Sequence, residues 1–258
     1  CVPCDPNKIV AIIESNKQPL GREIPPPNAE SIAVGAPFID FLKHEVKMGR
    51  LPENLQPLQF GGGHISNAVA VGLMKDFKNI NIWSEVITDG FLDAIDAGRI
   101  DDITCTGVCF TTAGMMRMLD DFDKYTKQIT IRQASVSNGA EMIRRLGLVC
   151  INTPLEVDMY GHVNSTLING SKMVNGIGGS GDFMRNAYLS VMLTPSTVAT
   201  KTDPTGITRV LPMLAHVDHT EHEMHIIGTE QGIADLRGRT PREKAKLIIK
   251  NCAHPDFR

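Results

Sequence analysis

No charge of one sign dominates this sequence: 26 Lys and Arg stand against 29 Asp and Glu, a formal −3. That balance leaves no basic footprint for nucleic acid. No apolar run is long enough to span a bilayer, and no secretory pattern opens the chain. The sequence therefore reads as a soluble intracellular protein with no membrane partner, expected in the cytoplasm, or in mitochondria if its source is eukaryotic. There is no internal repeat and no low-complexity tract. Cysteines are few, and they form no disulfide framework. Cys105, Cys109, Cys150 and Cys252 sit among apolar neighbours, as buried thiols do. Cys1-x-x-Cys4 is one pair at a chain end, without the second pair that a zinc site requires. Because the sequence begins with Cys1 and not Met, it is expected to be part of a longer polypeptide, with a cleaved product as the alternative.

What is present suffices for a large core, with 258 residues of which 42% are apolar. Residues 1–30 read as a linker or the tail of a preceding domain. They contain a strand-like Lys8–Glu14 and a stiff connection through Pro19, Gly21 and Pro25-Pro26-Pro27. Residues 31–258 read as one domain. A helical pattern starts at Ser31 and closes at Gly49. Extended and helical stretches then alternate: Leu55–Gln59, His64–Leu73, Ile80–Ile87, Phe91–Ala97, Ile103–Phe110, Met115–Phe122, Ile129–Arg132, Ala140–Leu146 and Leu148–Asn152. A helix is also expected at Met184–Val191 and another at Arg242–Asn251. This alternation predicts an α/β fold, an open and mostly parallel sheet with helices on both faces.

Several residues stand out against that frame. Glu85 places a carboxylate inside the strand-like run Asn81–Asp89, where a charge is costly to bury without partners. It falls near the carboxyl end of a strand that leads into a helix, the edge at which open α/β sheets bind ligands. A salt-bridge partner or a helix-start acid is the plainer alternative. Gly61-Gly62-Gly63 is a strand-to-helix turn whose amides are unshielded by any Cβ. With the amides that open the next helix, it suits a phosphate or a developing oxyanion. It fits neither the dinucleotide fingerprint nor a Walker loop. A second cluster, Asn175 to Phe183, holds four glycines within six residues and again precedes a helix. Two such loops facing each other can supply converging N–H donors. Asn138 is a turn or helix-start residue by default, and its amide can orient a carboxylate. Glu230 is a second acid at a strand end, or a solvated turn residue. Four of the eight histidines fall in His216–His225, each three residues after the last. Zinc must be weighed there, but the spacing matches no common structural or catalytic pattern. No metal is expected, and a polar surface or interface segment is the better default.

Taken together, these segments resemble the acetyl-CoA hydrolase/CoA-transferase family, most of all its succinyl-CoA:acetate CoA-transferase and acetyl-CoA hydrolase branch. The stretches that carry the likeness are Ser84-Glu85-Val86-Ile87-Thr88-Asp89, Asn152 through Phe183, His216–His222 and Thr229–Gly238. The resemblance implies that 31–258 is the carboxyl-terminal catalytic domain of a two-domain enzyme of acetate metabolism. It further implies that Glu85 forms a covalent glutamyl-CoA thioester and that the Gly62 and Gly179 amides make an oxyanion hole. Gly61, Gly62, Gly63, His64 and Ile65 would form the CoA-binding loop. Asn175, Gly179 and Lys201 match positions contacting CoA, and Asn138 matches an auxiliary asparagine. Coenzyme A is then a substrate and no cofactor is held permanently. The partners are acyl-CoA, short carboxylic acids, an amino-terminal half of the same polypeptide and a second copy in a homodimer. Two departures are visible: Gly61-Gly62-Gly63-His64 stands where the family commonly has Gly-Val-Gly-Asn, and Phe110–Arg117 lacks the usual Ser/Pro helix start. The expected activity is CoA transfer from acetyl-CoA or succinyl-CoA to a short acid. Hydrolysis through the same intermediate is the alternative, and a non-catalytic CoA-binding fragment is another.

Overall fold

Eight short strands pair into one sheet in the order Gly232–Asp235, Ile226–Thr229, Leu189–Leu193, Val149–Asn152, Leu58–Phe60, Ile80–Trp83, Ile100–Cys105 and Ile129–Ile131. This is seen in a computed structural model that describes residues 5–17, 26–168 and 170–258. Every pairing is parallel except the terminal hairpin of Ile226–Thr229 with Gly232–Asp235. The expected α/β architecture is therefore observed.

The chain enters the sheet at its middle, at Leu58–Phe60, and moves outward through Ile80, Ile100 and Ile129. It then returns to the other side of its first strand with Val149–Asn152. The order reverses between Leu58–Phe60 and Val149–Asn152, and at such a point the two following loops diverge and leave a crevice.

The strands are apolar on both sides because both sheet faces are covered. Val149, Ile151, Leu189, Val191 and Leu193 face a core with Val34, Leu42, Leu73, Leu92 and Met118. Those residues come from the helices Ala29–Lys47, His64–Asp76, Asp89–Asp96 and Thr112–Asp120. The alternate residues Cys150 and Met192 face a second core with Ile143, Phe183 and Ile248, supplied by Ala140–Leu146, Ser180–Asn186 and Pro241–Cys252. Burial raises the Cys105 thiol to about 11 and the Cys252 thiol to about 12, which keeps both protonated and unreactive.

The first helix begins two residues before Ser31 because Asn28 caps it. Asn28 Oδ1 accepts from the Ser31 amide at 2.8 Å, and the Ser31 hydroxyl accepts from the Asn28 amide at 2.9 Å. Near its end, Glu45 is buried and accepts from Arg50 Nε at 3.0 Å and from Arg237 Nη2 at 3.1 Å. Hydrogen bonds from Arg50 hold this carboxyl below its usual range, against the opposing effect of burial, with Arg237 adding to the depression. Replacing it by Gln is expected to cost about 2 kcal/mol, the scale of hydrogen bonds to a charged group. A depressed carboxylate stabilises the fold above its unfolded pKa of about 4.3 and loses that contribution as pH falls through the folded value. Urea unfolding between pH 6 and pH 3 should therefore show a steeper loss for the native chain than for Glu45→Gln.

Four sequence expectations need correction. Lys8–Glu14 is not a strand: Pro6–Lys8 is a short 3-10 turn, and residues 9–17 form no regular element. Val10, Ile12 and Ile13 are exposed there and find no strand to pair with among the described residues. The helix expected at Met184–Val191 is shifted. Ser180–Asn186 is the helix, and Leu189–Leu193 is a fully buried central strand whose pairing on both edges overrides helical propensity. The expected strands Ile80–Ile87 and Ile103–Phe110 are each broken. Val86–Ile87 and Gly107–Val108 leave the main sheet and pair with each other. Cys1, Cys4, Pro19, Gly21 and Pro25 lie outside the described residues.

Candidate active site

At the sheet's reversal point, Phe60 gives way to Gly61, whose amide donates to Ile151 O at 2.8 Å. A Cβ on Gly61 would overlap Asn152 Oδ1, so this close approach of neighbouring chain segments requires glycine. Gly62 has open space around it, and Gly63 takes φ +135° as the N-cap of the His64–Asp76 helix. Gln59 and Asn152 exchange side-chain hydrogen bonds beneath this turn, with Asn152 Nδ2 donating to Gln59 Oε1 at 3.0 Å. Sequence reasoning passed over this buried pair, since its members lie 93 residues apart.

Glu85 follows the next strand. Ser84 is buried, and its hydroxyl donates to Phe60 O at 3.0 Å. The Glu85 carbonyl accepts from the amides of Thr106 at 2.9 Å and Gly107 at 3.1 Å. The backbone is thus gripped from both sides at the point where the strand breaks. The carboxylate accepts from the Gly179 amide at 3.0 Å.

Gly179 belongs to the second glycine loop and is the N-cap of the Ser180–Asn186 helix. A Cβ there would overlap Glu85 Oε2 and lie 2.5 Å from Asn138 Nδ2. Glu85, Asn138 and Gly179, far apart in sequence, therefore meet at one point. Asn138 is held by its own network: its Oδ1 accepts from the Ser137 hydroxyl at 2.8 Å, and Trp83 Nε1 donates to Ser137 O at 2.7 Å.

Glu85 and Gly179 line a cavity of about 390 Å³, and Asn138 stands beside Gly179 outside its lining. Gly61, Gly62, Asn175 and Gly179 are part of its wall, and Glu85 is the one ionisable side chain among its lining residues. Asn175 Nδ2 donates to Ser165 O at 3.2 Å, which ties the start of the glycine-rich loop to the segment following Asn164. The remaining expected positions are not all brought together. His64 opens its helix beside this turn, and the Ile65 side chain is buried in the core, so only its backbone can face a ligand. Lys201 is exposed on a turn and is not part of the cavity lining. Glu230 accepts from the Ser196 amide at 2.8 Å and lies away from this cavity's lining.

The histidine segment is not helical, and its expected surface character needs correction at His219, which is 1% exposed. His216 Nε2 lies 3.0 Å from Asp218 Oδ1, and His225 Nδ1 accepts from the Ser190 amide at 3.1 Å. His219 Nε2 lies 3.0 Å from Ser180 Oγ. Among the described residues, no group of three or more His, Cys, Asp or Glu is placed to hold a metal ion. No helix among them is long and apolar enough to cross a membrane.

Chemically, one carboxylate in a crevice walled by main-chain amides can act as a nucleophile, and the amides can take up charge developing on oxygen. Residues 114–258 match the family model of the acetyl-CoA hydrolase/transferase C-terminal domain. The chain belongs to this family. The family-model match includes Asn138 and Gly179, and full-length relatives extend the likeness across Glu85. An acetyl-CoA hydrolase of Kluyveromyces lactis is 49% identical over 257 residues, covering 99% of this chain and 49% of that protein. An acetyl-CoA hydrolase of Saccharomyces cerevisiae is 49% identical over 261 residues, with the same two coverages. This member of the family thus spans about half the length of those relatives. Among solved structures, RipA from Yersinia pestis superposes with a TM-score of 0.77 at 26% identity, covering 92% of this chain and 53% of that one. A 4-hydroxybutyrate CoA-transferase from Porphyromonas gingivalis gives 0.67 at 25% identity, covering 92% and 55%.

Proposed function

We propose that this chain is the carboxyl-terminal catalytic half of an acyl-CoA:carboxylate CoA-transferase, with residues 1–30 linking it to an amino-terminal half. Glu85 is its nucleophile. The observation that carries this reading is the single carboxylate of a glycine-walled cavity, already in contact with the Gly179 amide. The carboxylate attacks the acyl-CoA carbonyl and expels CoA thiolate, leaving a mixed anhydride. The thiolate then attacks the Glu85 carbonyl and releases the first acid, so that CoA is held as a glutamyl thioester. A second acid reverses these steps, and the thioester bond energy is retained without ATP.

The Gly179 amide already touches a Glu85 oxygen, so it is aligned for charge that builds on that oxygen during thiolate attack. The unshielded Gly62 amide, across the cavity, suits the oxyanion of the acyl group. Asn138 Nδ2 stands beside Gly179 and orients the carboxylate. Gly61, Gly63, His64, Ile65 and Asn175 border the path of the coenzyme, and Lys201, which is not part of the cavity lining, is assigned to the coenzyme on the family likeness alone. Acetyl-CoA or succinyl-CoA and a short acid are the substrates, with coenzyme A the only coenzyme. The working form is a cytoplasmic homodimer.

Hydrolysis is the second reading, favoured by the name shared by the yeast relatives. It differs only in whether water reaches the thioester. Intact-mass analysis of the full-length polypeptide after exposure to acetyl-CoA tests the shared intermediate. A CoA adduct is expected on the native protein and none on Glu85→Gln; an adduct on both, or on neither, would overturn the assignment. Release of free thiol without an added acid then identifies the hydrolase.

A further inference from the structure

The seven-residue helix Ser180–Asn186 carries the Gly179 amide at its head, yet Gly179 has no side chain with which to cap it. So short a helix does not hold its own shape. One loop holds it at both ends. His219 Nε2 lies 3.0 Å from Ser180 Oγ, and His219 Nδ1 lies 3.2 Å from Glu223 Oε2. Glu223 is buried, and its Oε1 accepts from Arg185 Nε at 3.0 Å. The series Ser180, His219, Glu223 and Arg185 thus leaves the helix at its first residue and rejoins it in its last turn. Ser180 Oγ also donates to Ile177 O at 2.9 Å, which closes the turn just before Gly179.

Proton inventory makes this more than packing. A hydroxyl has one hydrogen. Two arrangements are open at Ser180. With that hydrogen on Ile177 O, His219 Nε2–H donates to Ser180 Oγ. With the ring hydrogen on Nδ1, toward the Glu223 carboxylate, Nε2 accepts from the Ser180 hydroxyl. In either arrangement the Ser180 hydroxyl is held against His219. Ser180 is one of the cavity's lining residues, but its side-chain contacts are with His219 and its own loop. The residue it fixes is its neighbour, whose N–H reaches Glu85 Oε2 at 3.0 Å.

We propose that His219 and Ser180 are positioning residues for acyl transfer: they lock the head of the helix and thereby aim the Gly179 amide at Glu85. The inference rests on Glu85 as the acyl-transfer residue. The full-length polypeptide would be compared as native, Ser180→Ala, Ser180→Thr and His219→Gln. Misplacement of one oxyanion donor predicts a fall in kcat of about tenfold to a hundredfold for Ser180→Ala. KM for acyl-CoA should stay within about threefold, because the lost contact serves the transition state more than substrate binding. Ser180→Thr, which keeps the hydroxyl, should recover most of the lost kcat. Should His219→Gln fail to fold, the serine pair alone decides. Native kcat in Ser180→Ala, a loss confined to KM, or a Thr variant as impaired as the Ala variant would each refute the proposal. If Glu85→Gln blocks the CoA adduct while Ser180→Ala behaves as native, the Glu85 reading survives and only this proposal falls.

Discussion

Gly179→Ala is expected to lower acyl-CoA turnover by about a hundredfold or more, the cost of displacing an oxyanion donor by an ångström or losing it. The backbone is not the reason. Gly179 has φ −82° and ψ 2°, which alanine adopts freely. The obstacle is the methyl group, which would occupy the space now held by Glu85 Oε2 and sit 2.5 Å from Asn138 Nδ2. Either the carboxylate swings away or the loop retreats, and in both cases the amide no longer meets the reacting oxygen. Thermal unfolding should change little, because the clash is relieved into an open cavity. Steady-state kinetics beside a melting curve checks both halves. A variant with near-native turnover would mean that the meeting of Glu85, Asn138 and Gly179 has no part in the reaction.

The second large effect concerns reach. Glu85→Asp keeps the charge and removes one methylene, drawing the carboxylate back by roughly 1.5 Å, one carbon–carbon bond. Ser84 and Glu85 are pinned through the bonds from Ser84 Oγ to Phe60 O and from the Thr106 and Gly107 amides to Glu85 O. The backbone therefore cannot advance to compensate. The expected result is a loss of about a hundredfold to a thousandfold in kcat, since the proposed nucleophile and the Gly179 amide are separated together. Rapid-quench measurement of adduct formation isolates the step. An Asp variant that forms the adduct at the native rate would show that the gap is bridged by loop motion.

Much of the frame was legible because its signals are local. Alternating apolar runs and glycine turns marked the strands and helices, and the Ala140–Leu146 helix is found over the very residues expected. Glu85 and both glycine loops drew attention because charge and bare backbone are unusual at strand ends. What stayed hidden depends on partners distant in sequence. The break after Trp83 arises because Ser84 bonds to a carbonyl 24 residues away. Leu189–Leu193 has as much helix as strand character until neighbours on both sides claim its backbone. His219 belongs to an evenly spaced series that reads as a polar surface or interface segment, yet its partners Ser180 and Glu223 set its role from outside that pattern. The Gln59–Asn152 pair carried no sequence signal at all.

The lining of the crevice, acidic at one place and otherwise uncharged, bears on the order of events. A second substrate arriving as its carboxylate beside the Glu85 carboxylate meets a like charge. Two unit charges 4 Å apart repel by about 4 kcal/mol at an effective dielectric of about 20. In the proposed thioester one of the two oxygens has left with the first acid, the negative charge is gone, and a second carboxylate can settle where it was refused. A nucleophile that neutralises itself by reacting would in this way admit the second substrate only after the first has left its cargo.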